Sequence, residues 1–376
     1  MTEIENIIAA MNTTETIGEK SQFIAYLTNM VSKSTIGKKD RDVISTLLER
    51  EFVSLVKAFE SATCYREKNN YFSYANALME LTLALYGEPN RTPQSLLAAI
   101  TQLTPLLKKA RYLENEIDAL FETSNATPAD IAHLGETLSA ITDEYQRGIF
   151  WSGVLHFAEK LSEFSEDTAE ALHELFVREF SRLFTLPLDE DVLAAIELAA
   201  DAVRYSVKDD TVALLHRALA LKEPTVTFYT VSSLLSAGVE IDDETISILA
   251  NDLEFASLTY ELLKDAGQEA RFPESLVTPE YLAMSDMVHW LVYPTELGQK
   301  PDAIEYIGSV TVEKIPYYIF RFCSNSNTLD DDIKGKWLIG WSAAEGNTFS
   351  NFDLYEDYEE KTVEKTLKKI KKSLLY

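Results

Sequence analysis

Ser342 stands in the run Gly340-Trp341-Ser342-Ala343-Ala344, one glycine short of the Gly-x-Ser-x-Gly turn that exposes a nucleophilic hydroxyl at a sharp bend. Without the closing glycine Ser342 reads as a strand-end hydroxyl. His173-Glu174 opens like a zinc-binding helix, but the position one turn on is Val177, so the second ligand of such a motif is missing. The other histidines, His133, His156, His216 and His289, are scattered over separate segments. A calcium loop started at Asp330-Asp331-Asp332 would need an oxygen ligand where Lys334 stands and a bidentate Glu where Trp341 stands. Neither phosphate-cradling glycine motif, Gly-x-x-x-x-Gly-Lys or Gly-x-Gly-x-x-Gly, occurs. These residues therefore predict no catalytic set, no metal site and no cofactor.

Charge and composition narrow the function classes further. The chain has 376 residues, 46% of them apolar, and a net charge of −27. That is enough apolar material for one large core or two smaller ones. Residues 1–270 hold 22 Lys and Arg against 44 Asp and Glu, a net of −22. Such a field repels phosphate backbones and anionic lipid, so neither nucleic acid nor membrane is expected as a partner. A basic protein is the partner this charge predicts. Glu3 and Glu5 stand where a secretory signal would carry cations, and no run is long and apolar enough to span a bilayer. A cytoplasmic protein follows, in which Cys64 and Cys323 read as small buried hydrophobes.

The elements that must position these residues are mostly helices, about thirteen before residue 293. Thr92-Pro93, Thr127-Pro128 and Thr278-Pro279 each place a capping hydroxyl ahead of a first-turn proline, and Glu223-Pro224 has the same form. Leu47, Phe52, Leu55, Val56 and Phe59 make one helical stripe. Leu172, Leu175, Phe176, Phe180 and Leu183 make another.

One internal echo points to repetition. DDTVALLHRAL at 209–219 aligns with DETISILANDL at 243–253, and each is followed by a second apolar segment that stops at Gly238 or Gly267. On these segments the chain resembles the HEAT and armadillo class of helical repeats, most clearly over residues 189–267. The resemblance implies an irregular helical-hairpin solenoid with a concave face for a protein partner. On that face Glu254, Glu261 and Asp265 are the candidate partner-binding carboxylates.

After residue 292 the apolar period changes from helical to alternating. Residues 1–292 thus read as the helical repeat domain and 293–376 as a small antiparallel α+β domain. In 304–312, Ile304, Tyr306, Val310 and Val312 are expected to share a face. In 315–323, Tyr318, Phe320 and Phe322 oppose Tyr317, Ile319 and Arg321. In 336–344, Trp337, Ile339 and Trp341 alternate with Leu338 and Gly340. Gly346-Asn347 turns into a fourth strand, and a helix over 357–374 puts Val363, Leu367, Ile370 and Leu374 against one face. The other face is expected to pack on the last helix before it through Trp290, with Trp337 and Trp341 as further candidate contact residues. YPTELG, YYIFRF and the W-x-x-G-W strand together are similar to the terminal module of bacterial HEAT-like proteins.

The leading expectation is a non-enzymatic scaffold for a basic protein partner. An immunity or decoy protein that neutralises a basic toxin is the second reading. The third is an enzyme whose site is assembled in the terminal module from Arg321, Asp332 and Ser342.

Overall fold

The computed structural model describes residues 2–14, 16–33, 36–61, 65–86, 101, 103–105, 138–139, 141–149, 166–205, 207–293, 296–326, 329–343 and 348–374. Within them the chain is mainly α, with a small antiparallel sheet toward its C-terminal end. No helix among the described residues is long and apolar enough to cross a membrane. Thr92-Pro93, Thr127-Pro128, His133, His156, Cys64 and Gly346-Asn347 lie outside the described residues. The chain divides into two compact units, one of Met1–Ser61 with Asn69–Ala237 and one of Ala62–Lys68 with Gly238–Tyr376.

The first unit contains α1 (Glu3–Asn12), α2 (Ile17–Lys33), α3 (Lys38–Ser61), α4 (Tyr65–Tyr86, from Asn69 on), α5 (Glu166–Leu183), α6 (Glu190–Ala202), α7 (Asp209–Leu219) and α8 (Pro224–Ser236). The expected stripe on α5 is the buried one, with Phe180 and Leu183 fully enclosed. Ala194, Ala195, Ala199 and Ala200 bury the small face of α6, which lets α5, α7 and α8 pack on it. Glu179 is carried into this interior by α5. Arg147 meets it with two hydrogen bonds, Nε to Oε2 at 2.7 Å and Nη2 to Oε1 at 2.8 Å, and Arg182 adds a third at 3.2 Å. Burial by itself would raise the pKa of Glu179, but the two guanidinium groups hold it below the ordinary value. His173, buried on α5, places Nε2 3.0 Å from a carboxylate oxygen of Asp210.

The two echoed segments are both helices, α7 and, in the second unit, α9 (Asp243–Asn251). Their partners α8 and α10 (Ala256–Asp265) end at Gly238 and Gly267, whose φ values of 71° and 66° need glycine. After α10 the amide of Gln268 donates to the Leu263 carbonyl and that of Gly267 to Lys264, the paired bonds of a Schellman stop. The boundary between the compact units falls between the two copies of the echo.

The second unit continues with α11 (Pro279–Val292), β1 (Ala303–Val312), β2 (Ile315–Cys323), β3 (Leu338–Ala343), β4 (Thr348–Leu354) and α12 (Val363–Ser373). The strands lie in the order β1-β2-β3-β4, all antiparallel. Both sheet faces are covered. Tyr318, Phe320, Phe322 and Leu338 pack on Ala283, Met287 and Leu291 of α11. Ile319, Ile339, Trp337 and Trp341 pack with Leu367 and Ile370 of α12. Alternation on β2 and β3 therefore runs as the sequence predicts.

Three expectations change. On β1 a bulge falls between Tyr306 and Gly308, and one extra residue inverts which side chains face which way. Ile304 therefore packs toward α11, while Val310 packs toward α12. Trp290 is not the α11 residue that meets the sheet. Trp290 is 37% exposed, because Ala283, Met287 and Leu291 take the inward stripe. Val363 is 55% exposed, since α12 starts there, capped by the Thr362 hydroxyl, rather than at 357.

Candidate interaction surface

The turn between α9 and α10 decides what becomes of Glu254. Asp252 ends α9, and its carboxylate accepts the Glu254 amide at 2.9 Å. Lys300, from the loop before β1, reaches Asp252 at 2.6 Å and Glu254 at 3.2 Å. Burial works against the Lys300 ammonium, yet the two carboxylates hold its pKa above the usual value. Glu254 is thus spent inside the fold, with its side chain only 18% exposed.

Glu261 and Asp265, one turn apart on α10, are exposed. Glu261 pairs with Lys264 on its own helix at 3.0 Å, a surface pair of small worth. Trp290 is exposed on α11, with its ring 6.1 Å from that of Tyr293. Trp337 and Trp341 are half-buried on the α12 side of the sheet. The Arg321 guanidinium lies 4.5 Å from the Trp337 ring centre and bonds Glu305 at 2.6 Å. Of the six candidate residues, Glu261, Asp265 and Trp290 reach the surface, and Glu254, Trp337 and Trp341 are engaged within the fold.

Arg321, Asp332 and Ser342 are not brought together. Arg321 follows Ile319 onto the α12 face, whereas Ser342, two residues from Gly340, is buried on the α11 face. Asp332 is exposed in a turn.

A groove of about 610 Å³ runs between α10 and α11. Its walls are two helical stripes. Ser257, Tyr260, Glu261 and Lys264 come from α10, and Pro279, Leu282 and Asp286 from α11. Val277 and Thr278 close one end. Tyr260 is held by an edge contact with Phe272, ring centres 5.3 Å apart. The helices are joined by serines, for the Ser257 amide donates to Ser285 Oγ at 2.8 Å and that hydroxyl donates to Ser257 Oγ at 3.1 Å. The Ser257 hydroxyl lies beside the Asp286 carboxylate and favours its ionised form. Burial, and to a smaller extent the charge of Glu261, raise the Asp286 carboxyl above its ordinary value. Among the described residues no lysine or arginine pairs with it.

Sequence reasoning missed Asp286 and the groove. The available signal was a lone acid in the middle of MSDMVHWLV, an otherwise apolar helical stretch. In the first unit a smaller hollow of about 350 Å³ is lined by Glu190, Asp191, Glu197 and Glu223 beside Tyr145. Among the described residues no group of three or more His, Cys, Asp and Glu side chains could hold a metal ion. No protein-family model matches this chain, and neither a curated protein nor a solved structure matches it.

Proposed function

We propose that this chain is a non-enzymatic interaction scaffold whose acidic helical surface engages a basic protein partner. The observation that carries the reading is the fate of the sheet. With both its faces occupied by α11 and α12, the sheet has no open face for a partner, which turns attention to the exposed helices. There the exposed Glu261 lines a groove that also holds Asp286, and Asp265 is exposed one turn on. The echoed hairpins α7–α8 and α9–α10 support a HEAT-like array as the carrier of that surface, and the net charge of −27 supplies the long-range attraction.

The test is affinity capture on the full chain, followed by association kinetics. A captured partner should be basic, and reversing Glu261 and Asp265 to Lys should slow its association by about tenfold with little change in fold. An acidic partner, or an association rate indifferent to both reversals, overturns the reading.

A further inference from the structure

We propose that the groove between α10 and α11 is a subsite for a single lysine or arginine side chain of the partner, its charged end held by Asp286. The inference rests on the scaffold reading for the identity of the partner, and on the groove alone for its chemistry.

Three observations point to a cation. First, the charges in the groove do not cancel. Lys264 is already committed to Glu261 at 3.0 Å, so the carboxylate of Asp286 is the uncompensated group. Second, Asp286 is half-buried in the groove wall, where burial removes water that would solvate an exposed carboxylate. A desolvated carboxylate without a counter-ion is costly, and an entering cation offsets that cost. Third, the remaining walls suit the stem of such a side chain. Val277, Pro279 and Leu282 offer apolar surface to methylenes, and the Tyr260 ring offers a face to an ammonium or guanidinium.

The same end of the groove holds the N-terminus of α11, which on dipole grounds would favour an anion. That alternative is closed by local chemistry. Pro279 has no amide hydrogen to give, the Tyr281 amide is taken by the Thr278 hydroxyl at 3.2 Å, and Glu280 sits in the first turn. A neutral apolar side chain would fill the walls but leave Asp286 without a partner.

The experiment uses the full chain and three blocked tripeptides, Gly-Lys-Gly, Gly-Arg-Gly and Gly-Gln-Gly, titrated by ligand-observed NMR. The lysine and arginine peptides should bind and the glutamine peptide should not. Asp286→Asn keeps the shape, and should weaken both cationic peptides by about tenfold or more. Lys264→Ala removes the competing cation and should tighten them. Equal binding of the glutamine peptide, or an Asp286→Asn variant that binds lysine as before, overturns the subsite. Asp265 lies outside the groove, so Asp265→Lys separates the two readings. Slowed association of a basic partner without peptide binding removes the subsite and leaves the scaffold. Peptide binding that depends on Asp286, with no basic partner captured, removes the scaffold and leaves the subsite.

Discussion

Met287 of α11 occupies the space that a side chain at Gly340 of β3 would need. A Cβ built on Gly340 meets the Met287 methyl group and sulfur, and lies 3.2 Å from Phe322. Met287 and Phe322 are both fully buried in the core between α11 and the sheet. Gly340→Ala should therefore cost about 1–3 kcal/mol by overpacking, and Met287→Ala about 2–4 kcal/mol by leaving a cavity. Combined, the two should cost clearly less than their sum, because the new methyl enters the space the methionine vacates. Denaturant unfolding of the four proteins measures this. Additive losses would mean the pair does not hold α11 on the sheet.

Asp286 should behave as a charge the fold tolerates at some expense. Its folded pKa lies above the ordinary aspartate value of 3.8, so its proton stabilises the folded state. That contribution is complete below the unfolded value and disappears as pH rises through the folded one. At neutral pH Asp286→Asn should raise the thermal midpoint by about 2–4 °C. The gain should shrink as pH is lowered toward 4. A variant that melts earlier at pH 7 would show the carboxylate to be paired.

Glu179 should show the opposite sign. Arg147 and Arg182 hold its pKa below the ordinary 4.5, so its contribution is present above that value and fades as pH falls through the lower folded one. Glu179→Ala leaves the Arg147 guanidinium facing the interior of the first unit without its carboxylate, while Arg182 keeps Glu144, and should cost about 3–5 kcal/mol at pH 7. Below the folded pKa the difference between variant and parent should narrow. Acid titration of unfolding free energy, read on both proteins, decides it.

Association with a basic partner should weaken as salt shortens the screening length from about 10 Å at 0.1 M to about 3 Å at 1 M. Reversing Glu359 and Glu360, exposed ahead of α12, should leave the on-rate within about twofold, in contrast to the reversals on α10. If those terminal reversals alone abolish binding, the helices merely support a sheet-side interface.

What the sequence made legible was local. Pro279 behind Thr278, and Pro224 behind Glu223, start helices because capping needs only neighbouring atoms, and both caps form, to Tyr281 at 3.2 Å and Thr225 at 2.9 Å. The faces of β2 follow from strict alternation. Ile307 broke the same rule on β1, since an extra residue leaves no mark in an apolar run. The sequence reads Trp290 as inward because the helix it sits on is apolar nearly all round, and choosing between its stripes needs the sheet that packs there. The groove was illegible for a similar reason. Each stripe is visible alone, but only their facing positions make Asp286 a buried acid.

Strand order carries a consequence for the nascent chain. Because β1, β2, β3 and β4 neighbour one another in the order they are synthesised, each can pair as soon as it leaves the ribosome, with no distant segment to wait for. The helix that meets the first face, α11, has already emerged. The helix that hides the second, α12, has not. Ile319 and Ile339, both wholly enclosed in the finished fold, stay wet until residues 363–373 arrive. Until residues 363–373 emerge, the paired sheet therefore keeps one bare apolar face, the species on which a chaperone would act.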